Sequence, residues 1–359
     1  MLFLFQKCLF SPCQPNQMEI KGKLIVAVLL AASALYSCKR DPYRVNVSSV
    51  KADIEIKRLE HDLFSINPEE IPARLPGLKS EYGDVLRLFS LAINTGDIDD
   101  PSFGDYLAGF CTDKQNNDVY RLVADKYPDL SGVEKDLGMA FRHYLYYFPE
   151  KQVPVVFTCI TGFNASILTM SGEQLLGISL DKYLGADCEY YPGLGIYNYM
   201  AARMIPEYIV PDCMYGWAAS VWDRETMGYG ADNVLTEIIH QGKLRYFMRC
   251  MLPELKDELI FGFTPAQMNF CRNNEAQMWQ YLVENDLIFK TDQFVIRKLT
   301  GEGPFTSYFT NESPGRAAVW TGFRIIESYM QKNRGTSLEM LMNETDVQGI
   351  LEKAKYAPQ

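Results

Sequence analysis

The stretch NVLTEIIHQGKLRYF, residues 233–247, decides how this chain is read. Asp232-Asn233 opens a helix there, because a short polar side chain accepts from the free N–H groups of a first turn. On that helix positions 236 and 240 project from one face, with 237 beside them. Thr236, Glu237 and His240 therefore stand in HExxH spacing with the first His replaced by Thr. Two imidazoles so placed share a zinc ion while the carboxylate activates a bound water, whereas Thr236 brings only a neutral hydroxyl. The chain has three histidines, His61, His143 and His240, so any imidazole chemistry must use one of them.

Thirty-eight residues beyond Glu237 comes Asn273-Asn274-Glu275-Ala276, expected in the middle of a helix capped at Thr264-Pro265-Ala266-Gln267. Glu275 is placed there to act as a carboxylate ligand. Glu237 is then the catalytic base, and His240 and Glu275 hold the metal, in a site resembling that of a thermolysin-type zinc peptidase. A sheet before the site helix, and a second helix carrying a Glu after it, is the zincin order of elements. The simpler reading is that xExxH arises by chance on many helices and that His240 is a polar residue at the edge of the core.

Outward from this helix the chain reads as α+β and mostly helical, a zincin-like domain with a small mixed sheet before the site helix. Residues 53–150 carry helical signals: Asn67-Pro68-Glu69-Glu70 is a cap with acids in a first turn, and DVLRLFSLAI from Asp84 has apolar residues at helical spacing. Another helix runs from Ser131 through Leu137, Phe141 and Tyr144 and ends before Pro149. In the second part, residues 151–359, the runs from Val153 and Gly172 are short and β-branched or aliphatic, as strands joined by a hairpin are. Ser313-Pro314 and Thr336-Ser337-Leu338-Glu339 open later helices. Residues 53–359 form one domain with no internal repeat.

The apolar run LIVAVLLAASAL, residues 24–35, falls short of the roughly 20 residues that cross a bilayer. Preceded by Met18 and the basic pair Lys21 and Lys23, and followed by Leu35-Tyr36-Ser37-Cys38, it reads as a signal peptide over residues 1–37. The ending resembles a bacterial lipobox, which makes Cys38 the lipidated mature N-terminus. Residues 1–17 add nothing to that signal and read as an upstream start called too early; residues 38–52 are the tether. The alternative is an uncleaved anchor. Removing the leader takes Lys7, Lys21, Lys23 and Glu19, leaving 32 basic and 44 acidic residues and a charge of −12. So acidic a surface speaks against nucleic acid as a partner. With no CxxC, the six cysteines from Cys111 to Cys271 read as buried thiols or one bridge.

One family resemblance gathers these features. The lipobox, the run Ile178-Ser179-Leu180-Asp181-Lys182-Tyr183-Leu184-Gly185 with Tyr190-Tyr191, the segment Glu237–Phe247 and the helix of Asn274-Glu275 and Trp279 belong to it. So do Ser313-Pro314-Gly315-Arg316, Trp320–Ile326 and the Lys355-Tyr356-Ala357-Pro358 tail. Together they resemble the gliding-motility lipoprotein GldB family. The resemblance implies an outer-membrane lipoprotein facing the periplasm, acting without catalysis in a gliding-related, secretion-related or other envelope assembly. It implies no required cofactor, with zinc as the alternative. Members carrying Tyr where this chain has His240 turn the broken HExxH into a matter of fold ancestry. Arg316 opens a helix against its dipole and calls for a carboxylate such as Glu275 or Glu237. Thr236, Glu237, His240, Lys243, Glu275 and Arg316 are then expected as one polar network beneath a shallow cleft. Tyr190 and Tyr191 mark a contact surface for envelope proteins or cell-wall material. A zinc-dependent envelope peptidase and a solute- or glycan-binding lipoprotein are the other readings.

Overall fold

The computed structural model describes residues 41–172 and 174–359, so Cys38 and the leader lie outside it. From Val45 onward the chain forms one compact unit. That unit starts earlier than the expected tether boundary, since Val47 and Ala52 are already buried.

Its sheet has the order β1-β2-β4-β3, with β1 at Ile56–Arg58, β2 at Val155–Cys159, β3 at Ile167–Met170 and β4 at Leu175–Ser179. β2 runs parallel to both β1 and β4, and the expected hairpin is made by β3 and β4 rather than by the two runs read as strands. β4 is buried at every position, as its uninterrupted apolar run requires. Parallel pairing of β1 with β2 needs a long crossover. The helices α1 (Leu59–Ser65), α2 (Ile71–Tyr82), α3 (Asp84–Ala92), α4 (Phe103–Thr112), α5 (Lys114–Lys126) and α6 (Ser131–Tyr147) supply it. The apolar faces of α1 to α4 meet Phe157, Cys159, Leu168 and Leu175 of the sheet in one core. The two parts divided near residue 150 in the sequence therefore share a single sheet. Neither β1 nor β3 is foreseen, for each is too short to show a period.

Beyond β4, Asp181 is fully buried and accepts from the backbone N–H groups of Thr161 (3.2 Å) and Phe163 (2.7 Å), as well as from the Ser179 hydroxyl. The 161–165 loop is thus wrapped round one carboxylate. The Tyr-rich passage forms the short helices α7 (Tyr190–Gly193) and α8 (Asn198–Ala201). Here the expected contact surface needs correcting: Tyr191 is buried, its hydroxyl donating to Asp181 O and accepting from Leu184 N. Tyr190 is half-buried and stacks on Phe163.

Then follow α9 (Ile209–Val221), α10 (Val234–Met251), α11 (Asp257–Phe261), α12 (Pro265–Asn273), α13 (Glu275–Glu284), α14 (Gln293–Thr300), α15 (Ala317–Lys332), α16 (Leu338–Asn343) and α17 (Val347–Ala354). Asn233 caps α10 by accepting from Thr236 N, and Thr264 with Gln267 forms the foreseen capping box of α12. That helix breaks at Asn274, so Glu275 opens α13 instead of sitting in mid-helix. α16 is capped by Ser337, one residue later than the capping-box reading puts it. Rings of Phe141, Tyr144, Phe148, Trp217, Trp222 and Phe247 interlock α6, α9 and α10. Trp320, Phe323, Ile326 and Tyr329 of α15 are buried, whereas Tyr281 of α13 is 37% exposed. Among the described residues Cys111, Cys159, Cys188, Cys213 and Cys271 are free thiols, and no helix is long and apolar enough to cross a membrane.

α10 is buried on nearly every face, and α15 lies against it. Gly242 and Gly322 meet at the crossing. A Cβ on Gly322 would sit 1.8 Å from Ile238 O, and one on Gly242 would sit 2.5 Å from Gly322 C. Backbone that cannot yield must separate the helices, and overpacking of this kind costs about 1–3 kcal/mol or more. Gly322→Ala should accordingly lower the denaturant midpoint by about 3 kcal/mol of stability or unfold the chain. Gly109→Ala, on an exposed face of α4 with open space around it, should be neutral or raise stability by about 0.5–1 kcal/mol in the same titration.

Candidate functional site

The expected polar network resolves into separate groups, each closed by its own partners. At the start of α10 the Thr236 hydroxyl is buried and turned back on the cap, 2.5 Å from Ala231 O and 3.1 Å from Asn233 Oδ1. Glu237 is paired with Arg224 (2.8 Å) and accepts from Gln241 Nε2 (3.1 Å), and Arg224 also holds Asp232. One turn on, His240 and Lys243 are both buried and share Tyr229. Lys243 Nζ donates to the Tyr229 hydroxyl (2.9 Å) and to Glu344 O (2.7 Å), and Tyr229 in turn lies 3.2 Å from His240 Nδ1. This order of donors fits a neutral imidazole that accepts at Nδ1. Burial, reinforced by Lys243 and Arg224, pushes the imidazole down to about 4. Burial likewise brings the Lys243 ammonium down to about 7.

Glu275 belongs elsewhere. Arg324 Nε donates to both its oxygens (3.1 and 3.0 Å), Tyr356 Oη adds a third bond (2.9 Å), and Trp279 packs edge-on against Tyr356. The group fastens the C-terminal tail to α13 and α15.

Arg316 pairs with neither Glu275 nor Glu237. It caps α15 from the left-handed region at φ 63°, donates to Phe261 O (2.9 Å) and lies 3.4 Å from Glu302. A non-glycine residue held in that region costs of order 1–3 kcal/mol, so it is kept by its surroundings. Gly315 beside it abuts backbone, with Gly303 O 2.1 Å from where a Cβ would stand. Arg203 holds Glu302 from the other side at 2.9 Å. Arg203, Glu302 and Arg316 line a pocket of about 130 Å³ together with Tyr199, Tyr208, Phe263 and Gln267. Arg203, Arg245, Asp212 and Glu302 were invisible in the sequence as a set. The one signal was the pair of glycine-flanked charges in Gly301-Glu302-Gly303-Pro304 and Pro314-Gly315-Arg316.

The structure does not bring the residues expected to hold zinc together. Thr236 is spent as a cap, Glu237 faces a guanidinium, and His240 and Glu275 answer to different partners. Among the described residues no three His, Cys, Asp or Glu side chains are placed to hold a metal.

The fold and these groups define a mostly helical α+β domain without a membrane-spanning helix among its described residues. The family model described as gliding motility protein GldB matches residues 40–358, and the chain belongs to that family. No curated protein and no solved structure matches it.

Because His240 binds its proton less tightly folded than unfolded, the unfolded state takes up the extra proton between about pH 6.5 and about 4. Its contribution to stability is complete above that window and is lost on acidification through it. Urea titrations from pH 7 to pH 4 should show the wild type losing up to roughly 3 kcal/mol more than His240→Gln, which keeps an acceptor for Tyr229 but does not titrate.

Proposed function

We infer that this lipoprotein is anchored in the outer membrane through Cys38 and works without catalysis, as a structural or docking component of a gliding- or secretion-related envelope assembly. Membership of the GldB family supports the gliding-related setting. The observation that carries the non-catalytic part is the state of Glu237, the residue that would activate water. Its carboxylate is held at 2.8 Å by Arg224 and bonded by Gln241, with the neighbouring Thr236 hydroxyl turned into the helix cap. A zincin-like ancestry belongs to the same reading, since the mixed sheet precedes α10 and the helix that Glu275 opens follows it. Envelope proteins or cell-wall material are its partners, and its acidic surface gives nucleic acid no foothold.

In a strain lacking its own copy, Glu237→Gln and His240→Gln should restore the envelope phenotype as fully as the unchanged chain. Cys38→Ser should fail to do so and should leave the membrane fraction. About one zinc per purified chain, with chelator-sensitive hydrolysis lost in Glu237→Gln at unchanged protein level, would establish the peptidase instead.

A further inference from the structure

The pocket beside Arg316 holds more guanidinium than its carboxylates use. Arg203, Arg245 and Arg316 all lie within electrostatic reach of Glu302, and the other carboxylate of the group is Asp212. Arg203, Arg316 and Glu302 line the pocket and Arg245 and Asp212 do not, so two guanidiniums against one carboxylate, or three against two for the whole group, leave one positive charge over. Burial also shifts Asp212 toward its neutral form, which adds to the surplus. Hydrogen bonding tells the same story: Arg203 Nε and Arg245 Nε are buried and find no partner among the described residues. Arg316 and Arg245 are themselves 9% and 5% exposed, so water satisfies little of this demand. Buried guanidinium N–H groups left unpaired are costly, and oxygen acceptors from a ligand relieve that cost.

Aromatic rings line the way in. The guanidinium carbon of Arg316 lies 5.8 Å from the Phe263 ring centre and that of Arg203 5.8 Å from the Tyr208 ring centre, within cation–π range. Tyr199 at the wall is stacked on Tyr197, which is 67% exposed and extends the pocket into an outer aromatic shelf. A volume of about 130 Å³ holds roughly four waters. It therefore takes a headgroup with a short stem, while the rest of the ligand lies on the shelf. A surplus near one charge suits a monoanion, and the planar fork of arginine matches a carboxylate. Half-exposed Glu302 at the mouth offers an acceptor to a donor group next to that carboxylate.

We propose that this pocket binds the terminal carboxylate of a short peptide, with Arg203 and Arg316 gripping the carboxylate and Glu302 accepting from the adjacent amide N–H. The assignment goes beyond the envelope role and does not depend on it.

The full chain, purified in detergent, is titrated by calorimetry with N-acetyl-alanine, N-acetyl-alanine amide and inorganic phosphate. Saturable binding of N-acetyl-alanine is expected, at least tenfold weaker for the amide and for phosphate. Arg203→Lys keeps the charge but loses the fork, and Glu302→Gln keeps the shape but loses the charged acceptor. The first should weaken N-acetyl-alanine at least tenfold and the second about threefold, with near-ultraviolet circular dichroism unchanged in both. Absence of saturable binding, phosphate bound as tightly as the carboxylate, or unchanged affinity in a folded Arg203→Lys would each overturn the proposal. Failure of complementation in the strains above bears on the envelope role alone.

Discussion

Everything in the second half of the chain is arranged around the place where α10 and α15 touch backbone to backbone. Two helices without side chains at their crossing approach more closely than ridges and grooves normally permit. That approach buries α10 almost entirely and sets Trp320 and Phe323 against Phe261. It also decides the fate of the polar groups that α10 carries. Lys243 and His240, one residue after and two before Gly242, cannot reach water and must be satisfied inside, which is why both meet the hydroxyl of Tyr229.

The same closure accounts for the pairing of charge across the domain. Charge taken out of water has to meet opposite charge or hydrogen-bond partners. Glu237 meets Arg224, Glu275 meets Arg324, and Glu302 is shared by Arg203 and Arg316. Each group closes locally. The group built on Arg203, Arg245 and Arg316 keeps two buried guanidinium Nε atoms without a partner among the described residues, and its Arg203 and Arg316 line a pocket.

How much of this was legible follows from range. Caps are local chemistry, so Asn233 and Thr264 announced their helices, and long apolar runs gave β2 and β4. The three residues of β1 carry no period of their own and become a strand only because β2 offers them an edge. The partners of Arg316 and Glu275 were misread for a related reason. A charge states that it needs a counter-ion, but which of 45 acidic residues answers is settled by helix packing rather than by spacing. HExxH spacing was seen correctly and still misled, since the hydroxyl of Thr236 turned to the cap that Asn233 had already opened.

The pairing of Ile56 with Val156 joins positions a hundred residues apart, and the α10–α15 crossing joins Gly242 to Gly322 further along. Contacts of such long range can form only after large loops have closed, which slows folding and places it late. A polypeptide emerging N-terminus first would hold β1 without its neighbour until β2 had appeared, and the buried helix pair could not assemble until nearly the whole length was present. The topology itself therefore keeps the early segments from locking up before the later ones arrive.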